Sequence, residues 1–131
     1  MKSEQMTLMA FTDGAAAEGT LNLNGDVLYG TAEAIQIPKG LALKIWSKHI
    51  NGAAVTVNTE FTQDIGAESP EWTIFSKDVF SASVEGDRNI EKRRPLLFRG
   101  LTGNEAVRFT YDQAAAGVSG FEINVEFCAI Q

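Results

Sequence analysis

The chain has little of what disulfide-bonded, metal-binding and membrane proteins require. It contains a single cysteine, Cys128, in 131 residues, which excludes an intrachain disulfide and a zinc site built from several thiols. No apolar run approaches the ~18 residues of a membrane-spanning helix. The first eleven residues combine an early glutamate with a short apolar run, so they do not resemble a secretory signal. We therefore expect synthesis in a cytoplasm, no membrane partner, and stability that comes from packing or assembly.

Positive charge is also scarce. The chain has 11 lysine and arginine residues against 17 aspartate and glutamate residues, and its formal net charge is -6. General nucleic-acid binding normally rests on a net positive charge or a broad basic face, so we expect no nucleic-acid partner. The hydrophobic content of 44% and the charged content of 21% are those of an ordinary globular protein. A chain of this length is expected to form one domain around one core.

Helical periodicity is missing, and an alternation of apolar and polar residues takes its place. It is clearest in four segments, residues 41–50, 53–63, 107–112 and 121–127. Strands of this kind bury one face and expose the other. Shorter candidate strands between turn residues cover residues 7–11, 20–23, 31–37, 72–80 and 96–101. The pattern predicts an all-β antiparallel sandwich, jelly-roll-like, with about eight strands. Within this single domain, we expect residues 1–30 to form an N-terminal arm and the first strands, and residues 31–131 to form the sandwich core.

One turn signal is stronger than the others. Asn51 and Gly52 separate the first two alternating segments, and an Asn-Gly pair favours the type I′ turn because both central residues of that turn need a positive φ. The sequence therefore predicts that residues 41–50 and 53–63 pair with each other as a β-hairpin.

Catalytic and metal-binding patterns are weak. The only histidine, His49, has Ser47 two residues away on one strand face, an arrangement common in strands, and we interpret it as a structural or surface histidine. Cys128 has no evident general base. Asn22, Asn24 and Asp26 alternate as in a calcium loop but lack its final glutamate and flanking helices, so an Asx-rich turn is the simpler interpretation. We expect no enzymatic activity, no cofactor and no bound metal.

Two tryptophans are candidates for binding. Trp46 lies between Lys44 and Lys48 on the wetter face of its strand, where it could anchor a protein contact, stack on a sugar, or pack at a sheet edge. A carbohydrate-binding or lectin-like module is the alternative function, and it predicts that Trp46 and Trp72 lie on one exposed face beside polar groups.

Basic residues cluster in the C-terminal half. Six of the eleven fall between positions 88 and 108, namely Arg88, Lys92, Arg93, Arg94, Arg99 and Arg108, whereas residues 60–71 contain four acids and no base. Pro95 places the start of the following strand at a sheet edge or corner. Four of these cations are therefore candidate docking residues together with Trp46: Lys92, Arg93, Arg94 and Arg99. The open alternative is that Arg93 and Arg94 pair locally with Asp87 and Glu91, where exposed pairs contribute little.

The order of these segments resembles a known family. The stretch IPKGLALKIWS, the Asn-Gly turn, RRPLLFRGLTGNEAVRFTY and the final SGFEINVEF are similar to the small jelly-roll cement or decoration proteins of tailed bacteriophage heads. The resemblance covers residues 37–131. It implies a non-enzymatic virion protein, made in the host cytoplasm and located on the capsid exterior. It also implies the major capsid protein and further copies of this chain, as a homodimer or homotrimer, as partners.

Overall fold

The computed structural model describes residues 4–25, 27–82, 90–91 (backbone alone) and 95–130, and its strands form two facing antiparallel sheets. The six-stranded sheet consists of β1 (Glu4–Phe11), β3 (Asn22–Asn24), β5 (Leu41–Gly52), β8 (Ile90–Glu91), β9 (Leu96–Arg99) and β11 (Ser119–Ala129). The five-stranded sheet consists of β2 (Glu18–Thr20), β4 (Ile35–Ile37), β6 (Val55–Thr62), β7 (Thr73–Phe80) and β10 (Glu105–Asp112). The prediction of an all-β antiparallel sandwich is confirmed. The strand count exceeds eight because four strands are only two or three residues long.

The edges of the two sheets determine where the chain can meet other molecules. In the six-stranded sheet the order is β3-β1-β11-β5, and β8 and β9 share the far side of β5. In the five-stranded sheet β2 and β4 share one side of β10, β6 lies on its other side, and β7 follows β6 as the edge strand. The edges formed by β9 and β7 lie on the same side of the sandwich, since Phe98 of β9 packs against Phe75 of β7.

The alternating segments supply the core between the sheets. Apolar side chains of β5, β10 and β11 that occupy odd positions are buried there, as the alternation predicts: Leu43, Ile45, Val107, Phe109, Tyr111, Phe121, Ile123, Val125 and Phe127. Burying one such side chain contributes about 1.5–3 kcal/mol relative to leaving it in water. Residues from the N-terminal segment join the same core, and Leu8, Ala10, Leu21 and Leu23 are fully or almost fully buried. The strands within residues 4–24 are therefore integral to both sheets.

The predicted β5-β6 hairpin is wrong. β5 pairs with β11, β8 and β9, and β6 pairs with β10 and β7, so the two strands belong to different sheets. Gly52 does adopt a positive φ of 109°, as the turn signal requires. Its backbone, however, lies against Val118 and Ser119 at the start of β11, and the chain crosses there from one sheet to the other. The glycine thus marks a corner of the sandwich.

Candidate functional site

Three phenylalanines close the side of the sandwich where the edges of β7 and β9 approach each other. The rings of Phe61 and Phe98 stack with their centroids 5.3 Å apart, and Phe75 meets both edge-on at 5.6 and 5.3 Å. A β-bulge turns Phe75 to this position, because Thr59 lies opposite Ser76 whereas Glu60 lies opposite Ile74. An extra residue in one strand re-aims a side chain in this way. The bulge therefore converts an edge strand into a wall of an aromatic cluster.

A groove of about 630 Å³ runs beside this cluster. Three of the apolar side chains that line it are largely exposed, with accessible fractions of 54% for Phe75, 58% for Leu97 and 67% for Leu101. Arg99 and Asp64 also line it, so the groove combines an apolar floor with side chains of opposite charge. Exposed apolar surface edged by polar groups is typical of a contact site for another molecule. Arg99, one of the predicted docking residues, belongs to this groove.

Glu105 shapes one end of the groove by holding the loop that follows β9. Its buried carboxylate accepts hydrogen bonds from the backbone N–H groups of Leu101, Thr102 and Gly103, at 3.0–3.1 Å, and from the Thr102 hydroxyl at 3.1 Å. Burial alone raises the pKa of a carboxyl, but these hydrogen bonds to the ionised form outweigh it, and the pKa of Glu105 lies below its usual value. The loop that presents Leu101 is thus anchored on a buried charge, and no local sequence pattern indicates this role for Glu105.

Trp46 lies on the outer face of the six-stranded sheet, as its parity predicts. Its half-buried ring lies 5.9 Å from the Lys44 ammonium and beside Asn124, whose side-chain oxygen accepts a hydrogen bond from Thr7 at 2.9 Å. Arg99 lies on the same outer face, because it is opposite Ala42 at an even position of β5. Within the described part of the chain, Arg99 has no ion-pair partner. The structure therefore brings two of the five predicted docking residues onto one sheet face.

The other three predicted docking residues, Lys92, Arg93 and Arg94, lie outside the described residues. The nearest strand-paired residues on either side of them, Glu91 and Leu96, lie along β5. Glu91 lies opposite Lys48, and Leu96 lies opposite Ile45. These two positions bracket Trp46 along β5.

Trp72 lies on the opposite side of the molecule. Its ring stacks on Arg108 at 4.2 Å from the guanidinium carbon, on the outer face of the five-stranded sheet. The alternative of a carbohydrate-binding or lectin-like module requires Trp46 and Trp72 on one exposed face, and the structure does not place them so, because the two sheets separate them. One of the four acids of residues 60–71 is already paired, since buried Glu60 binds Arg108 at 3.0 Å and accepts a hydrogen bond from Thr110. The exposed acids of that stretch are Asp64, Glu68 and Glu71.

His49 is a buried structural residue. Its ring packs 4.9 Å from the ring of Phe121 and 5.5 Å from that of Phe80, and its Nε2 lies 3.3 Å from the Ser119 hydroxyl. The Ser119 hydroxyl in turn donates to the carbonyl of Ala53. Because the pair is almost completely inaccessible to solvent, it does not present a nucleophile to a substrate. The partner serine is thus Ser119, and Ser47, two residues from His49, is separately buried in the core.

Burial lowers the pKa of His49 below its ordinary value of 6.5, although a backbone hydrogen bond at Asn51 opposes the shift. The unfolded chain then binds more protons than the folded one just below pH 6.5, so stability falls as the pH drops through this range. We expect a slope of at most about 1.4 kcal/mol per pH unit from this group. Urea unfolding between pH 7.5 and 5 measures it, and His49→Phe should flatten the curve. An equal slope in both proteins would assign the effect to other groups.

The other predicted features carry no site in the described residues. Asn22 and Asn24 are exposed on β3, and Asp26 lies outside the described part. Cys128 is half-buried on the outer face, opposite Ala42. No group of three or more histidine, cysteine, aspartate or glutamate residues there is placed to hold a metal ion. No helix in the described ranges has the length and apolarity needed to cross a membrane.

Comparisons with known proteins identify no family. No protein-family model matches the chain, and no curated protein matches its sequence. Three chains of solved structures match it. One of them belongs to the structure of infectious bursal disease virus, Gx strain, with 6% sequence identity and a TM-score of 0.44. That match covers 98% of this chain and 32% of the viral chain, so this chain spans about a third of the length of the protein it matches.

Proposed function

We propose that the chain is a non-enzymatic structural protein of a virus particle, a cement or decoration protein that binds the outside of a bacteriophage capsid. The observation that supports this proposal is the shared position of Trp46 and Arg99 on the outer face of the six-stranded sheet, at its β9 edge. Tryptophan and arginine are the residues most enriched among those that dominate protein interfaces. Exposed Leu97 lies beside them, opposite Lys44.

The proposed docking surface consists of Trp46, Leu97 and Arg99, and of the three cations Lys92, Arg93 and Arg94. Its partner is the major capsid protein, which would contribute acidic side chains opposite the cations and an apolar pocket for the indole. Such a contact needs only ~1,000 Å², because many copies bind one lattice and each contact need not be tight alone. Self-association as a dimer or trimer would use further surfaces of the sandwich.

A binding assay with shells assembled from the major capsid protein tests this proposal. We expect Trp46→Ala to weaken binding about 30-fold, since truncating a buried aromatic anchor costs roughly 2 kcal/mol. The double variant Arg93→Glu with Arg94→Glu and the single variant Arg99→Glu should also weaken binding, with little change in melting temperature. Lys77→Glu is the matched control, because Lys77 is exposed on β7, which belongs to the other sheet.

Two results would contradict the proposal. Full binding by all the variants would show that this surface is not the contact. A large loss of melting temperature in the arginine variants without a binding defect would show that the arginines form local salt bridges that serve the fold.

A further inference from the structure

The second edge of β7 is unusual among the described strands. No described strand pairs with it, although β7 is eight residues long. Its outer face carries Ile74, which is 58% exposed, and Val79, which is 75% exposed. A long edge with exposed apolar side chains, and with no neighbouring strand among the described residues, is a template for another extended chain. This edge lies on the opposite sheet from the proposed capsid-docking surface.

The positive charge of Lys77 restricts which chain can pair with this edge. The Lys77 side chain projects from the same outer face as Val79 and Ile74 and lies between them. In the pairing with β6, Val79 lies opposite Thr56, Lys77 opposite Asn58, and Ile74 opposite Glu60. If two copies of β7 paired antiparallel with Ile74 opposite Val79, Lys77 would face its counterpart on the symmetry axis. Directly opposed like charges destabilise a strand pair, and lysines in edge strands discourage such pairing. A second copy of this chain is therefore a poor occupant in the register that would match its apolar side chains.

We propose that this second edge of β7 binds an extended segment of a different protein, which adds as an antiparallel strand. The segment carries an acidic side chain opposite Lys77 and apolar side chains two residues to either side, opposite Val79 and Ile74. Phe75 is the extra residue of the bulge, so Val79, Lys77 and Ile74 lie opposite Thr56, Asn58 and Glu60, which are two residues apart along β6. An added strand on the other side of β7 can keep the same two-residue spacing. Main-chain hydrogen bonds supply affinity, and the side chains set the register.

The aromatic groove strengthens the same assignment. In an added strand, one residue lies between the acid that faces Lys77 and the apolar residue that faces Ile74. The side chain of this intervening residue points to the same side of the sheet as Phe75. More than half of Phe75 is exposed there, at the mouth of the groove shared with Leu97. The site therefore recognises an extended segment with an apolar, spacer, acid, spacer, apolar pattern. The inference goes beyond the capsid role and holds whether or not that role is correct.

The test uses the full chain and two acetylated, amidated heptapeptides, TVTETVT and TVTKTVT. In an amide chemical-shift titration, we expect both peptides to perturb residues of β7. The glutamate peptide should bind about twofold to fivefold more tightly, as a cross-strand charge pair allows. Lys77→Glu should reverse this preference, and Lys77→Ala should abolish it. The exposed position of Lys77 makes both variants suitable, and an unchanged spectrum elsewhere verifies their fold.

Three outcomes would overturn the inference. The peptides could leave the β7 amides unperturbed, or the preference could remain the same in Lys77→Glu. Alternatively, the wild-type chain could dimerise with concentration-dependent shifts confined to β7, which would make a second copy the occupant. None of these outcomes bears on binding to capsid shells, so the two proposals succeed or fail separately.

Discussion

Replacing Glu105 with glutamine should destabilise the fold by about 3 kcal/mol. The carboxylate satisfies three backbone N–H groups and one hydroxyl of the Leu101–Gly103 loop from a buried position. Glutamine has only one acceptor oxygen. The N–H groups of its side-chain amide would point at the N–H groups of the loop, with which they cannot form hydrogen bonds. Hydrogen bonds to charged groups contribute about 1.5–3 kcal/mol, and buried donors left without partners add a comparable penalty.

Urea denaturation at pH 7 measures this effect, with Glu122→Gln as the control. Glu122 lies half-buried on the outer face of β11, opposite Lys48, and its substitution should change stability by no more than about 0.5 kcal/mol. A similar small change for Glu105→Gln would show that the loop does not depend on the carboxylate.

The pH dependence provides a second signature of Glu105. Its folded pKa lies below the ordinary value of 4.5, so the stabilisation is fully present above that value and is lost as the pH falls through the folded pKa. The difference between the wild type and Glu105→Gln should therefore be constant near neutrality and shrink as the pH falls below 4.5. Because the same loop presents Leu101, the variant should also disorder one wall of the aromatic groove.

Much of the architecture follows from local pattern alone. The alternation in β5, β6, β10 and β11 identifies these strands and also which side chains face the core, because the strand period is two residues. The same parity places Trp46 on the outer face of its sheet. Three-residue strands such as β2, β3 and β4 are too short to show a period, so their pairing with β1 and β10 is not readable from sequence.

Pairing between distant segments limits what the sequence could predict about the sites. Glu60 and Arg108 look like members of separate acidic and basic clusters, yet the β6–β10 register puts them opposite each other. Ser119 meets His49 only because β11 pairs with β5, and no local spacing connects the two residues. The bulge that exposes Phe75 is likewise a property of the β6–β7 register. Such contacts depend on which strands become neighbours, and turn residues do not specify that.

Gly52 combines a local turn signal with a contact to a distant segment of the chain. Its substitution with alanine should lower the free energy of unfolding by roughly 3 kcal/mol. Its φ of 109° is strained for any residue with a Cβ, which costs about 1–2 kcal/mol. An added Cβ would also meet the carbonyl oxygen of Val118 at a separation that backbone atoms cannot tolerate, and overpacking of this kind costs a further ~1–3 kcal/mol.

Gly40 separates the two contributions, because its φ is 89° and an added Cβ there meets no atom within 4 Å. Gly40→Ala should therefore show only the backbone strain, about 1 kcal/mol. Urea denaturation of both variants gives the difference, which reports the contact between the corner at Gly52 and the start of β11. Equal losses would show that β11 moves away at little cost. A larger loss for Gly52→Ala would show that the Asn-Gly signal, read locally as a hairpin, has its main structural role in the close contact between the end of β5 and β11 within the six-stranded sheet.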